Sequence, residues 1–437
     1  MTTRETEIIG LIHKEVKPAL GCTEPVAVAL AAARAVELLS ERTGHSCRTD
    51  TDYKINVEVS GNILKNGMGV GIPGTGMIGL KIAAALGTVC GHSSYGLEVL
   101  KDLDDNAIAQ AKKITAAGNV TIQIAKNGHK LYVKTSVSDG VHTAYAVIED
   151  EHDKIVETSV DGDISEKSSS VANSNAIGKE KCTKDYGLTV REIFDFTENV
   201  AFDDIKFILE DKTLNLALAE EGLKGEYGLK VGKTILANTE EVFGEDFLSF
   251  AMAMTAAASD ARMAGCTLPA MSNSGSGNQG ITVSMPVIAY SLKYNISDEK
   301  LARALILSNL IAIHIKGYLG RLSALCGCVV ASTGSSCGLV WLRGGGYEEV
   351  CHAIKNMIGN ITGMVCDGAK VGCAMKVASG VSSSVQSAVL AMSGIHVCES
   401  DGIIDKDIEK TISNLGSIGS SGMEMADDLI QKIMVCK

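Results

Sequence analysis

Two cysteines separated by six residues, Cys366 and Cys373, enclose Asp-Gly-Ala-Lys-Val-Gly. On a continuous helix their sulfurs would lie about 10 Å apart along the axis, too far to share one compact centre. Asp367-Gly368 and Gly372 favour a tight loop instead, which can turn both thiolates inward and offer backbone N–H groups around them. Cys326-Gly-Cys328, forty residues upstream, supplies a third thiol from either cysteine. Three thiolates suit an iron–sulfur cluster better than a closed zinc site, which wants a fourth ligand. On spacing alone, zinc and a metal-free set of buried thiols stay open as alternatives. Gly21-Cys22-Thr23-Glu24-Pro25 sets another cysteine at the start of an Ala-rich run, where a helix dipole would favour the thiolate. The plainer reading of Cys22 is a small buried residue where a helix begins. Ser272, Asn273, Ser274, Ser276 and Asn278, with their interleaved glycines, form a candidate anion nest, and Arg321 is a candidate partner for a carboxylate.

Periodicity supplies the elements that must position these groups. Residues 5–19 read as a helix, and a second runs from the Gly21-Cys22 turn to about Arg42. Tyr53–Ser60 alternates as a strand. Gly67–Gly79 carries six glycines in thirteen residues and reads as a loop leading into a helix. Its G-x-G-x-x-G matches lack the following strand and acidic residue that a dinucleotide site needs, so close packing or a substrate-side loop is the better account. Val120–Ala125, Lys130–Ser136, Thr143–Ile148 and Lys154–Thr158 read as strands, and Asn127-Gly128 signals a hairpin between the first two. Ser165–Asn175 reads as a loop or linker; helical patterns return near Thr189 and dominate from Glu240. The expected class is α+β: N-terminal helices over 1–50, an α+β domain over 51–165, a connecting region over 166–239 and a helical domain over 240–437.

A net charge of −12 argues against a nucleic-acid partner. The longest apolar stretches, Val26–Leu39 and Ala304–Ile315, are too short for a bilayer, and the charged opening Arg4, Glu5, Glu7 lacks a signal core. A cytoplasmic location is therefore expected. There, disulfides rarely persist, so the 13 cysteines point to buried thiols, metal ligands or catalysis. The nine histidines include no ligand pair on one helix face, and His314, within an apolar run, reads as core.

With these motifs in view, the chain resembles the iron–sulfur L-cysteine desulfidases and, more distantly, the α-type bacterial L-serine dehydratases. The likeness rests on Gly21-Cys-Thr-Glu-Pro25, Gly71-Ile-Pro-Gly-Thr75, Ser272-Asn-Ser-Gly-Ser-Gly277, Gly320-Arg-Leu-Ser-Ala-Leu-Cys326-Gly327 and Met364-Val-Cys-Asp-Gly-Ala-Lys370 with Cys373, in family order. It implies a [4Fe–4S] cluster on Cys326, Cys366 and Cys373, with Cys328 the rival for the first position. It also implies that Cys22 is the proton acceptor. The serine enzymes have a longer spacing between their second and third ligands, which favours the desulfidase branch. A C-terminal cysteine reaches the active site in the serine dehydratases, a part that Cys436 would take here, and a homodimer is suggested by the same analogy.

The implied reaction is β-elimination from a small amino acid, foremost L-cysteine to pyruvate, ammonia and hydrogen sulfide. L-Serine dehydration by the same mechanism is the nearest alternative. An iron–sulfur redox sensor on the same cysteines, a pyridoxal-phosphate lyase and a structural zinc protein are rivals of other classes.

Overall fold

The computed structural model describes residues 2–49, 52–167, 186–320 and 323–436. Helix α1 (Thr3–Glu15) opens with a capping box: the Thr2 hydroxyl accepts from Glu5 N–H, and the Glu5 carboxylate accepts from Thr2 N–H. The helix predicted over 5–19 stops early because Pro18 cannot supply an N–H to a continuing ladder; Val16–Ala19 is strand β1. Helix α2 (Thr23–Thr43) ends where Gly44 adopts the left-handed conformation (φ 75°). Strand β2 (Lys54–Val59), helices α3 (Gly61–Gly67), α4 (Leu80–Cys90) and α5 (Asp105–Ala116), then strands β3 (Val120–Ile124), β4 (Tyr132–Ser138), β5 (Thr143–Glu149), β6 (Ile155–Val160) and β7 (Asp163–Lys167) follow.

The strands form a six-stranded sheet in the order β3-β2-β4-β5-β6-β7. Only β2 and β3 run parallel, joined by the helical crossover that parallel pairing demands. The predicted hairpin at Asn127-Gly128 is not formed: the turn is present, with Gly128 at φ 76°, but β2 lies between the strands it joins. Turn chemistry fixes a local bend, and the crossover decided which strand filled the gap. Ile55, Val57, Val59, Val133, Val137, Ala144 and Ala146 are buried beneath α2, which is buried on every side over residues 23–33 because α4 covers its other side. The approach is close enough that a Cβ on Gly87 would stand 2.2 Å from the Ala29 carbonyl. Of the predicted Ser165–Asn175 loop, 165–167 belong to β7 and the rest lies outside the described residues.

The remaining chain is helical: α6 (Val190–Asn199), α7 (Phe202–Ile205), α8 (Glu210–Lys224), α9 (Val231–Ala237) and α10 (Phe247–Met263), strand β8 (Ala270–Asn273), then α11 (Gly277–Tyr294), α12 (Asp298–Leu319), α13 (Gly327–Leu342), α14 (Tyr347–Ile361), α15 (Cys373–Met392), α16 (Ile408–Ser417) and α17 (Glu424–Val435). Helix α13 runs through the centre, packed on α11, α12, α14 and α15. Its small residues allow this: a Cβ on Gly334 would lie 2.4 Å from the Ser308 carbonyl. The architecture is α+β, with the sheet in the first half and helices in the second. Among the described residues two large hydrophobic cores result, one under the sheet and one around α13, besides a small cluster of Ile235, Ala253, Ala256 and Ala378. Helix α1 joins the helical core through Ile8 and Ile12, as does Val16 of β1, while α2 joins the sheet core. Antiparallel pairing of β1 with β8 (Val16 opposite Asn273) holds the crossing point and brings Gly21-Cys22 beside the Ser272–Gly277 loop. Among the described residues no helix is long and apolar enough to cross a membrane.

Candidate active site

Four helices begin where the two cores meet. Cys22 is the N-cap of α2, Ser276 of α11 and Cys326 of α13, and Cys373 is the first residue of α15. The Thr23 hydroxyl donates to the Gly275 carbonyl at 2.8 Å, joining the first two starts. A Cβ on Gly327 would meet Gln279 Oε1 at 3.2 Å, joining the second and third. A helix start carries N–H groups without intrahelical partners and a positive dipole end, which suits bound or developing negative charge; at α11 the Ser276 hydroxyl accepts one of them, from Gln279.

The thiols gather there through backbone pairing. An isolated antiparallel bridge joins Leu325 to Val365; Cys326 N–H donates to the Met364 carbonyl at 2.9 Å, and Cys366 N–H to the Ala324 carbonyl at 2.6 Å. The 366–373 segment is a loop as its glycines predict: Gly368 sits at φ 89°, where a Cβ would also strike the Lys65 carbonyl. Burial, then the neighbouring Cys328 and Cys366 thiols, push the Cys326 thiol well above its usual range. Burial and the Cys366 thiol likewise raise Cys373. Lys370 (2.6 Å) and Lys376 (2.5 Å) both grip Asp367. Burial opposes ionisation of Asp367, but these two lysines outweigh it and hold the carboxyl well below the usual carboxylate range.

Among the described residues no three His, Cys, Asp or Glu side chains stand close enough to hold a single metal ion. A mononuclear zinc site would need four ligands drawn to one point, whereas a multi-iron cluster accepts thiolates around a larger body. Cys326, Cys366 and Cys373 lie within electrostatic reach of one another, and a cluster held by three thiolates would draw on that donor chemistry. Cys328 lies near the same thiols but has partners of its own: its sulfur is 3.2 Å from the Lys376 carbonyl and 3.6 Å from Ser332 Oγ, in the seam where a Cβ on Gly380 would meet it at 2.3 Å.

Cys22 is 2% exposed, and burial pushes its thiol up to about 12. The charge of Arg262 pulls the other way, Glu24 and Cys373 raise it further, and a hydrogen bond from Arg262 lowers it. Arg262 ends α10, where the Gly67–Gly79 loop closes on the chain: Gly71 N–H donates to the Met263 carbonyl, Gly74 N–H to the Gly265 carbonyl, and Pro73 rests against Gly21. That loop packs rather than cradling phosphates. Sequence reading passed over Arg262 because a lone arginine at the end of an apolar helix looks like a cap; its proximity to Cys22 is a tertiary fact.

The Ser272–Asn278 segment is largely occupied by its own fold. Ser272 Oγ donates to the Lys17 carbonyl (2.6 Å); Asn273 donates to Asn309 Oδ1 (2.8 Å) and accepts from Ser274 Oγ and Gln279 Nε2. Ser276 caps α11, and Asn278 Oδ1 accepts from Arg262 at 3.3 Å. Asn309 continues inward to Asp211, whose carboxyl burial pushes up to about 7. Arg321 lies outside the described residues. His314 pairs with Glu409 at 2.7 Å, fastening α12 to α16. Cys436 is exposed at the end of α17, one turn from the docking of that helix on α3.

A family model described as the serine dehydratase alpha chain matches residues 94–431, a span that holds the cysteine loop but not Cys22. A UPF0597 protein of Oleidesulfovibrio alaskensis is 51% identical over 430 residues, covering 98% of this chain and 97% of its own. One from Parabacteroides distasonis is 48% identical over 438 residues, with 100% and 99% covered, and one from Phocaeicola vulgatus is 47% identical over 436. Likeness of this extent, carried through the helices that bear the thiols, settles the kinship: the chain belongs to the serine dehydratase alpha chain family.

Proposed function

We propose that the protein is an iron–sulfur lyase that removes the β-substituent of a small α-amino acid, with L-cysteine as the favoured substrate. The observation that supports this reading is that Cys373, at the start of α15, packs on the core that holds Cys22 and lies within electrostatic reach of it, of Cys326 and of Cys366. Bound to Cys326, Cys366 and Cys373, a [4Fe–4S] cluster would supply Lewis acidity toward a sulfur or oxygen leaving group.

The protein's own part is proton transfer and enclosure. The Cys22 sulfur, once ionised, takes the Cα proton; the freed electron pair forms the Cα–Cβ double bond as the β-substituent departs with its bonding pair. The resulting aminoacrylate tautomerises to an imine, and water converts it to pyruvate and ammonia. Ionisation of so buried a thiol requires positive charge nearby, which Arg262 and the start of α2 provide. Dehydration of L-serine by the same residues is the second reading, favoured by the description of the family.

The test is anaerobic purification with iron and labile-sulfide analysis, then pyruvate and sulfide release from L-cysteine beside pyruvate release from L-serine. Cys22→Ala keeps the cluster and loses turnover; Cys366→Ala loses both. Normal turnover by Cys22→Ala removes the assigned base, and iron-free protein that still degrades L-cysteine removes the whole reading.

A further inference from the structure

We propose that Arg262 and Glu24 form a charge clamp beside Cys22, Arg262 receiving the carboxylate of the substrate and Glu24 its ammonium group. The inference rests on the amino-acid lyase reading above and names the residues that recognise the zwitterion.

Arg262 is 4% exposed, and its hydrogen bonds go to the Gly21 carbonyl at 2.9 Å, to Asn278 Oδ1 at 3.3 Å and to the Cys22 sulfur, none of them a carboxylate. Its Nε is buried without a partner, and among the described residues no carboxylate comes within ion-pair distance. A buried guanidinium lacking an anion is costly, and its planar fork matches a carboxylate in two-point contact. Gly277 packs closely on the guanidinium, where a Cβ would stand 2.2 Å from Nε, so only glycine at that position leaves the group in place. The cation thus has the Cys22 sulfur and neutral groups for partners, and no carboxylate among the described residues.

Glu24 is the complement. Its side chain is nearly buried; its Oε1 accepts from Asn66 Nδ2 at 3.0 Å and lies 3.9 Å from His152 Nε2, a pair that is ionic only when the imidazole is protonated. Its Oε2 lies 3.2 Å from the Thr23 hydroxyl, whose single hydrogen is better spent on the Gly275 carbonyl at 2.8 Å. That carboxylate oxygen is short of a donor, and an ammonium group carries three. Both charges act on the Cys22 sulfur, in opposite senses, so both lie within electrostatic reach of it. An α-amino acid carries its carboxylate and ammonium on the one carbon whose proton Cys22 takes. Opposed charges flanking that sulfur would aim the Cα–H at it and reject thiols that lack either group.

The experiment uses anaerobically purified holoenzyme and two half-substrates, 3-mercaptopropionate (no amine) and cysteamine (no carboxylate), with Kd from calorimetry alongside KM for L-cysteine. Arg262→Gln is expected to weaken 3-mercaptopropionate by at least about tenfold and leave cysteamine nearly unchanged. Glu24→Gln is expected to do the reverse, and both raise KM for L-cysteine with iron content unaltered. Should Arg262→Gln not fold, Arg262→Lys keeps the charge without the fork and should weaken 3-mercaptopropionate alone. Equal loss of both probes in either variant, or no change in any, overturns the clamp. Wild-type protein that binds the probes selectively yet releases no pyruvate from any amino acid overturns the lyase reading instead, and the clamp then stands or falls on the binding data.

Discussion

Single thiols two residues apart have different surroundings, and that difference is testable. Cys326 caps α13 beside Cys366, whereas Cys328 is folded into the α13–α15 seam. Cys326→Ser is expected to lose the iron and the visible absorption of the anaerobic protein; Cys328→Ser is expected to retain both, at a stability cost of about 1 kcal/mol for a repacked buried sulfur. Iron loss from Cys328→Ser alone would reverse the ligand assignment. Asp211 carries a second residue-scale prediction. Burial raises its carboxyl to about 7, so between the ordinary carboxylate value near 4 and that point the folded chain binds a proton the unfolded chain does not. Stability therefore falls as pH rises through this window and levels off above it. Asp211→Asn should match the wild type near pH 4 and unfold at higher temperature near pH 8, by about 1–3 kcal/mol. A pH-independent difference in thermal midpoint would show that ionisation of Asp211 is not what matters. The loop between Cys366 and Cys373 was legible in the sequence because Asp367-Gly368 and Gly372 disfavour a helix between them. Arg262 and Asp211 were not, because a charged residue in an apolar helix gives no sign of what it faces.

At the scale of elements, helix packing rests on glycines where backbones touch. Gly87→Ala would drive a Cβ into the Ala29 carbonyl and force α2 from α4; a loss of about 1–3 kcal/mol is expected in denaturant unfolding. Gly10→Ala, at an exposed position of α1 with nothing nearby, should stabilise by about 0.5–1 kcal/mol through helix propensity. Equal effects from the two would mean that propensity, not the α2–α4 approach, governs. Period and capping revealed most of these helices, and alternation revealed β2 and β4 to β6. The pairing of β3 with β2 was hidden, since the Asn127-Gly128 turn carries the same local signal whether or not its flanking strands meet.

The whole molecule closes on itself through α17. Asp427 meets the Lys65 ammonium at 2.5 Å, a lysine side chain only 1% exposed, and Gln431 and Met434 press on the Gly61 and Gly368 positions. The last helix thus straps α3 to the cysteine loop. Breaking a buried ion pair from one side costs about 3–5 kcal/mol, more than so lightly packed a helix can repay by staying docked. Asp427→Ala is therefore expected to free α17, seen as faster hydrogen exchange and proteolysis within 424–435 while the main unfolding transition holds. Unchanged exchange there would show that the strap rests on its apolar contacts.

From the sequence by itself came the α+β class, the loop between Cys366 and Cys373, and the start of α2 at Cys22, because each depends on interactions a few residues long. The tertiary structure alone decided that Cys22 and the thiol loop share one space, that β1 and β8 hold the crossing between two cores, and that Arg262 faces a sulfur 240 residues away in the chain. Such meetings depend on how buried surfaces fit one another, and no local pattern records that fit.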